Sequence, residues 1–353
     1  MSHEEPDRVP VANALTPQVA EALAKKLNVP FKKVNRWSFN EILVELRNDV
    51  IFVGATSPKG FASKRFPDGS YLDEWGIHYK FFAYYDEMID HPLKNVETSE
   101  QLNEYFETYG FPDPDAEGRF DLAQEQMEKY AEDYAVVGRC KETMFERSWY
   151  LTGMEKFLID LMMEKDYVFE LLDRVADYHI RIGKKLIDLG CDIIWTGDDF
   201  GTQRGMMISP ELFRRVFKPR YRRIFKEFKA RNPDVKTAFH SCGSIEPIIP
   251  DMIEIGLDIL NPIQPVSGMD RKVLKEEYGD QLSFFGAIDE QRVLPQGSVK
   301  EVTDEVQKAI RDLAVGGGFM LAAAHNIQPD TPLDNILAMY DSVRDYGTYP
   351  LSA

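Results

Sequence analysis

"VKTAFHSCGSIEPIIPDMIEIGLDILNPIQP", residues 235–265, carries one full turn of the pattern that organises this chain. It opens on a β-branched and aromatic run, VKTAFHSCG (235–243). An amphipathic stretch follows, IEPIIPDMIEIG, ending on Gly256 where helix C-termini favour glycine. LDILNPIQP (257–265) then begins a second strand. A strand, a helix and a strand with no long gap between them make the repeating unit of a parallel sheet.

Outward from that stretch the alternation continues. DVIFVG (49–54), YAVVGRC (134–140) and CDIIWTGDD (191–199) read as strands before it, LSFFGAID (282–289) and GFMLAAAHN (318–326) after it. Helix-period segments lie between them, notably 154–190, 209–230 and 299–318. A spacing of roughly 25 to 45 residues per unit through the second half matches a (β/α)8 TIM barrel. A doubly wound open sheet would call for a glycine-rich phosphate turn after an early strand, and FVGATSPKG (52–60) has no G-x-G-x-x-G. The expected organisation is an α/β barrel over residues 40–353 after a helical N-terminal arm, 1–39. Residues 55–130, irregular and rich in aromatic and acidic side chains, read as an insertion or lid.

Composition narrows the partners. A formal net charge of −17 argues against a nucleic acid, which needs a surplus of clustered Lys and Arg. The basic run at 213–232 reads as a solvated helix face whose stems pack on apolar neighbours. No run of about 18 uncharged apolar residues appears, so no membrane span is expected. The polar, acidic N-terminus is unlike a secretion signal, and three dispersed cysteines are no disulfide framework. Both point to the cytoplasm.

Polar groups gather where strands end: Asp198 and Asp199, His240 and Cys242, Asn261 and Gln264, Asp289, and His325 with Asn326. Barrels carry their chemistry at that rim. On a strand, residues i and i+2 share a face, so His240 and Cys242 can converge on one object while Ser241 turns away. Imidazole and thiolate are zinc ligands, and His325 supplies a third, which leaves one position open as in a catalytic site. Two other readings stand beside this one. Cys242 is a buried thiol next to a core histidine, or His325 is a general acid with no metal present. Cys140 and Cys191 read as structural.

Three segments carry a resemblance: TGDDFGTQRGMMISPELFRRVFKPRY (196–221), HSCGSIEPIIPDMIEIGLDILNPIQP (240–265) and GGGFMLAAAHNIQPDTPLDNILAMYDSVRDYG (316–347). They resemble the uroporphyrinogen decarboxylase superfamily, over about residues 40 to 348 and most strongly after 148. Within it the chain looks most like the corrinoid-dependent methyltransferases. The resemblance implies a (β/α)8 barrel, zinc held by His-x-Cys and a later cysteine, cobalamin supplied by a partner corrinoid protein, and a homodimer. His240 and Cys242 fall on the first two ligands, and His325 stands where the later cysteine is expected. A zinc with one thiolate in place of two makes a bound thiolate a weaker nucleophile.

The function expected is therefore zinc-dependent transfer of a methyl group between a corrinoid protein and a small molecule. Asp198, Asp199 and Gln203 would orient the substrate, and Glu74 and Tyr150 would line its pocket beside Asn261, Gln264, Asp289 and Asn326. The alternative is a metal-free decarboxylase of a carboxylated, tetrapyrrole-like substrate with His325 as proton donor. Against it, the decarboxylase's arginine-rich M-R-Q-A-G-R segment has no counterpart in NVPFKKVNRWSFNEILVELRND (28–49), and Met154 stands where its tyrosine is expected.

Overall fold

All seven strand segments read from the sequence belong to one parallel sheet. A computed structural model describes residues 3–31 and 39–351, so part of the expected N-terminal arm, residues 32–38, lies outside the described residues. The sheet strands are β1 (Val50–Gly54), β6 (Ala135–Lys141), β7 (Ile193–Gly197), β8 (Lys236–His240), β9 (Ile259–Asn261), β10 (Ser283–Ile288) and β11 (Phe319–Ala323). They pair in that order, each parallel to the next. Strands β7, β10 and β11 are buried at every position, as a parallel sheet covered on both faces requires.

Residues 8–16 bridge the two edges of this sheet. Val11 pairs parallel with Leu321 of β11, and the Leu321 amide donates to Pro10 O at 2.8 Å. On the other side, the Asp49 amide before β1 donates to Val11 O at 2.8 Å. Asn13 and Asn48 exchange side-chain and backbone bonds at 3.2 and 3.0 Å, and Asn13 Oδ1 also accepts from the Ala323 amide at 2.8 Å. The sheet thus curls into the (β/α) barrel of the TIM type, and its edges are joined through two buried asparagines. The helix Pro17–Leu27 follows this bridge.

The helices cover the barrel by simple amphipathic rules. In Asp166–Asp188 the buried set Val168, Leu171, Leu172, Val175, Ala176, His179, Ile182 and Leu186 recurs at helical spacing. Ser298 and Glu301 close a capping box at the start of Val299–Leu313. The basic run is ion-paired with acids of neighbouring helices. Arg220 meets Asp173 at 2.8 Å, Lys218 meets Asp251 at 2.7 Å, and Arg223 meets Asp177 at 2.8 Å. Its apolar side, Phe213, Phe217, Tyr221, Ile224, Phe225 and Phe228, is buried.

The irregular stretch after β1 forms a second, antiparallel sheet of β2 (Lys64–Arg65), β3 (Tyr71–Leu72), β4 (His78–Phe82) and β5 (Tyr85–Asp90), in that order. This sheet and the C-terminal ends of the barrel strands line an open cavity of about 660 Å3. Among the described residues no helix is long and apolar enough to cross a membrane.

Candidate metal centre and the cavity above it

β8 ends at His240, which lies level with Asn261 of β9 in the sheet register. The Asn261 Nδ2 donates to Phe285 O at 2.8 Å, which turns its Oδ1 toward His240 Nδ1, 2.5 Å away. Nδ1 therefore carries the hydrogen, and the Nε2 lone pair points the other way. It faces Cys242 Sγ at 3.4 Å. A hydrogen-bonded outer nitrogen of this kind fixes the ring of a metal-binding histidine and raises its basicity.

The loop after β8 is built so that Cys242 returns to the same face. Ser241 turns away, and its Oγ accepts from the Phe200 amide at 3.0 Å. The Cys242 amide donates to Asp199 Oδ1 at 2.7 Å, and the Gly243 amide donates to Gln264 Oε1 at 2.8 Å. Gly243 has φ +76°, and a Cβ there would stand 2.4 Å from Gly201 C. Only glycine allows both the left-handed turn and this backbone-on-backbone approach. Three alanines, 322–324, carry the chain to His325, whose ring centroid lies 6.1 Å from that of His240.

One donor atom from each of His240, Cys242 and His325 lies within 4.8 Å of the others. Two imidazoles and a thiol with a fixed tautomer on one of them suit zinc, which takes nitrogen and sulfur ligands and keeps a fourth position for substrate in catalytic sites. The donor set fits the metal. His240 and His325 both line the cavity.

The remaining expected residues divide between the cavity and the frame behind it. Asp199, Glu74, Tyr150 and Asn326 line the cavity. Asp199 Oδ1 also lies 3.6 Å from His240 Nε2. Asp198 faces away and is fully buried. Its carboxylate accepts from the amides of Met144, Phe145 and Glu146 at 2.9, 3.0 and 3.0 Å and from the Tyr221 hydroxyl, so it anchors the start of the helix Phe145–Thr152. Burial pushes its carboxyl up to about 6 against the pull of those donors. Gln203 is exposed on a turn outside the cavity. Gln264 and Asn261 position the ligand loop and the His240 ring, while Asp289 Oδ1 caps the following turn through the Gln291 amide at 2.8 Å.

The cavity also holds charges that the sequence reading did not single out. Arg119, only 1 % exposed, forks onto Glu74 at 3.0 and 2.7 Å, and Arg147 meets Glu142 at 3.0 Å. Arg139 lies over the rings of Phe52 and Trp195, each 5.2 Å away, and burial lowers it to about 10, still charged at neutral pH. Glu146 accepts from the Tyr150 hydroxyl at 2.8 Å and from the Asp199 amide at 3.2 Å. Burial, then the charges of Asp199 and Asp198, raise its carboxyl well above the usual range. Burial lifts Asp73 to about 6. The strand-end rule applied to YAVVGRC would have pointed at Glu142 and Glu146, because RCKETMFER places both just beyond β6. Cys140 and Cys191 are buried, and Cys140 Sγ lies 3.4 Å from His179 Nδ1.

Residues 129–346 match the uroporphyrinogen decarboxylase (URO-D) family. The chain belongs to this family. Among curated URO-D relatives, the methylcobamide:CoM methyltransferase MtaA of Methanosarcina barkeri is 25 % identical over 219 residues, which is 62 % of this chain and 60 % of that protein. The chain thus spans about three-fifths of its length. The methylcobamide:CoM methyltransferase MtbA of Methanosarcina mazei is 24 % identical over 266 residues, 73 % of this chain and 71 % of MtbA. A uroporphyrinogen decarboxylase of Nostoc punctiforme is 23 % identical over 176 residues, half of this chain and 47 % of that enzyme. In three dimensions a methyltransferase from Methanosarcina mazei superposes with a TM-score of 0.69 at 19 % identity, covering 98 % of this chain and 96 % of its own. That likeness establishes the URO-D barrel fold.

Proposed function

We propose that this URO-D protein is a zinc-dependent methyltransferase that moves a methyl group between a corrinoid carried by a separate protein and a small molecule. The observation that carries the reading is the convergence of His240, Cys242 and His325, two of which line the cavity. Zinc, when bound, polarises a thiol or hydroxyl and favours its ionised form. The chain's own residues do the rest. Asn261 holds the His240 ring with Nε2 toward the metal position, and Asp199 holds the Cys242 loop. The antiparallel sheet and the strand ends line the cavity in which a substrate would sit. MtaA and MtbA, named methylcobamide:CoM methyltransferases, support corrinoid chemistry.

The decarboxylase reading fits the cavity poorly. Asp73, Glu74, Asp86, Glu142, Glu146 and Asp199 all line it. Two of the three arginines there are already tied to Glu74 and Glu142. A substrate carrying many carboxylates would meet like charge and no spare pair of guanidinium groups.

The test is direct. Protein purified without chelators is assayed for metal, then for methyl transfer from methylcobalamin to coenzyme M and other thiols, and from methylated donors to cob(I)alamin. Stoichiometric zinc and transfer are expected. Cys242→Ser should lose both while remaining folded, since a catalytic zinc in a large barrel is not needed for folding. His325→Ala should weaken zinc less. Wild-type protein without stoichiometric metal, together with an active Cys242→Ser variant, would remove the basis of this reading. Full-rate transfer without any corrinoid would remove the partner.

A further inference from the structure

Resting on the transferase reading, we propose that the hairpin of residues 78–90 is a strap across the mouth of the barrel, latched at its tip, which swings aside to let a corrinoid reach the metal position. The strap runs between two sides of the barrel. At its base the Leu93 amide donates to Leu151 O and His91 Nδ1 to Tyr150 O, both at 2.8 Å, and the Arg147 guanidinium lies 4.9 Å from the centre of the Trp75 ring. Leu151, Tyr150 and Arg147 belong to the helix Phe145–Thr152, which follows β6. At the tip, Gln18 Nε2 of the helix Pro17–Leu27 donates to Tyr84 O at 3.2 Å. Burial, and after it the charges of Glu290 and Asp330, push the Tyr85 phenol up to about 12, which places the tip beside the chain leaving β10 and β11. Between these ends Tyr79, Tyr85, Asp86 and Met88 line the same cavity as His240 and His325.

The hold at the tip is weak. None of residues 78–90 is buried, whereas Ile77 and Leu93 on either side are fully so. β3 pairs with β4 at His78 and Tyr79. From Lys80 to Glu87 the hairpin is a two-stranded ribbon, which is marginally stable by itself in water. Phe81, Phe82 and Tyr84 are about half exposed, so little apolar burial fastens the tip. The latch also leaves Gln18 Oε1 and the Tyr85 hydroxyl buried with no hydrogen-bond partner among the described residues. Swinging aside returns both atoms to water, which offsets part of the bond that is lost. Ile77 and Leu93 stay in the core as the hinge, next to the register shift between His78 and Tyr79. Segments with so few buried contacts open without the rest of the fold.

Size decides what the strap screens. A cavity of about 660 Å3 has room for a small or drug-sized molecule. A corrin ring with its amide side chains is larger than such a molecule. To exchange a methyl group with something held at the metal position, it must lie across the mouth, along the line that the strap occupies. The strap therefore screens the large reactant and not the small one. A strap that is open in about one molecule in ten weakens the apparent affinity for what it screens about tenfold, and full release restores it.

The experiment uses the zinc-loaded full chain, free methylcobalamin and coenzyme M, with two variants of opposite sign. Gln18→Glu replaces the N–H that holds Tyr84 O by an acceptor and should release the strap. Tyr85→Phe removes a buried hydroxyl that no hydrogen bond satisfies and should tighten it. KM for methylcobalamin should fall about tenfold in Gln18→Glu and rise in Tyr85→Phe, with KM for coenzyme M and zinc content unchanged in both. The position of the strap is read apart from activity. Spin labels attached after Tyr84→Cys and Arg292→Cys, both exposed positions, report the distance from the tip to the turn beyond β10. Wild type should give a short and a long distance, the long one gaining in Gln18→Glu and fading in Tyr85→Phe. A single distance that neither variant moves overturns the strap. So does a KM for methylcobalamin that stays or rises in Gln18→Glu, the result expected of a surface on which the corrinoid docks. Either result leaves the transferase reading standing while wild type transfers the methyl group. Wild type that transfers it in neither direction overturns both.

Discussion

Gly243→Ala tests whether two backbones must touch for the metal ligands to converge. The φ of +76° places Gly243 in the left-handed region, where an alanine costs about 1 kcal/mol or somewhat more. A Cβ would also sit 2.4 Å from Gly201 C and 2.5 Å from Thr202 N, which are main-chain atoms that cannot rotate away. Forcing an extra methyl into such a contact costs a further 1–3 kcal/mol or so. The sum is about 3 kcal/mol. If the loop holds its place, the cost appears as stability. With about 2.1 cal/mol/K of unfolding entropy per residue over 353 residues, Tm falls by about 4 °C. If the loop gives way, Cys242 moves from His240 and zinc affinity falls by about 10²-fold. Thermal unfolding of the metal-free protein and zinc competition against a chromogenic chelator read the two outcomes separately. Gly201→Ala, whose Cβ would lie 2.5 Å from Cys242 O, should behave alike. Gly60→Ala has a similar φ of +80° but open space around it, so it should show the backbone cost alone. A Gly243→Ala protein with unchanged Tm and unchanged zinc affinity would refute the reasoning.

Three further outcomes are expected. Asn261→Leu removes the acceptor on His240 Nδ1 and should lower zinc affinity about 10- to 100-fold with Cys242 untouched, read by the same competition. Glu74→Ala strands the buried Arg119 guanidinium and should cost about 3–5 kcal/mol in denaturant unfolding, whereas Glu74→Gln should cost less. His179 is held neutral by burial, with its pKa lowered to about 3. Above the unfolded value of about 6.5 it contributes nothing, and below that the unfolded chain takes up a proton that the folded chain refuses, so stability falls as pH falls. By pH 5 the loss is about 2 kcal/mol. His179→Phe should remove that share of the acid sensitivity, and an unchanged difference between the pH 7 and pH 5 unfolding midpoints would contradict it.

How the cavity is charged depends on side chains far apart in sequence. Glu74 and Arg119 are partners because the insertion folds back on itself beside the cavity, and Asp199 and Glu146 because β6 and β7 are neighbours in the sheet. The two aspartates after β7 show the limit most clearly. Asp198 and Asp199 are adjacent and chemically identical, yet the strand period turns one onto the amides of a helix start and the other into the cavity. Which of them meets a substrate depends on what lies on either side of the strand.

By itself the sequence determined the alternation of strands and helices, and with it the barrel, because hydrophobic periodicity is local and a parallel sheet leaves little choice of how to bury it. It also determined that His240 and Cys242 share a face, since a strand alternates every two residues. Tertiary structure decided three things. The strand ends offer His325 as a third ligand, and it meets the other two because β8 and β11 curl round to one mouth. Residues 8–16 join the two edges of the sheet through Asn13 and Asn48, a pairing between the chain's start and its end that no local pattern encodes. Glu146 stands beside Asp199, Asp198 and Glu142, because burial and long-range approach set the charge of a carboxyl and spacing along the chain does not.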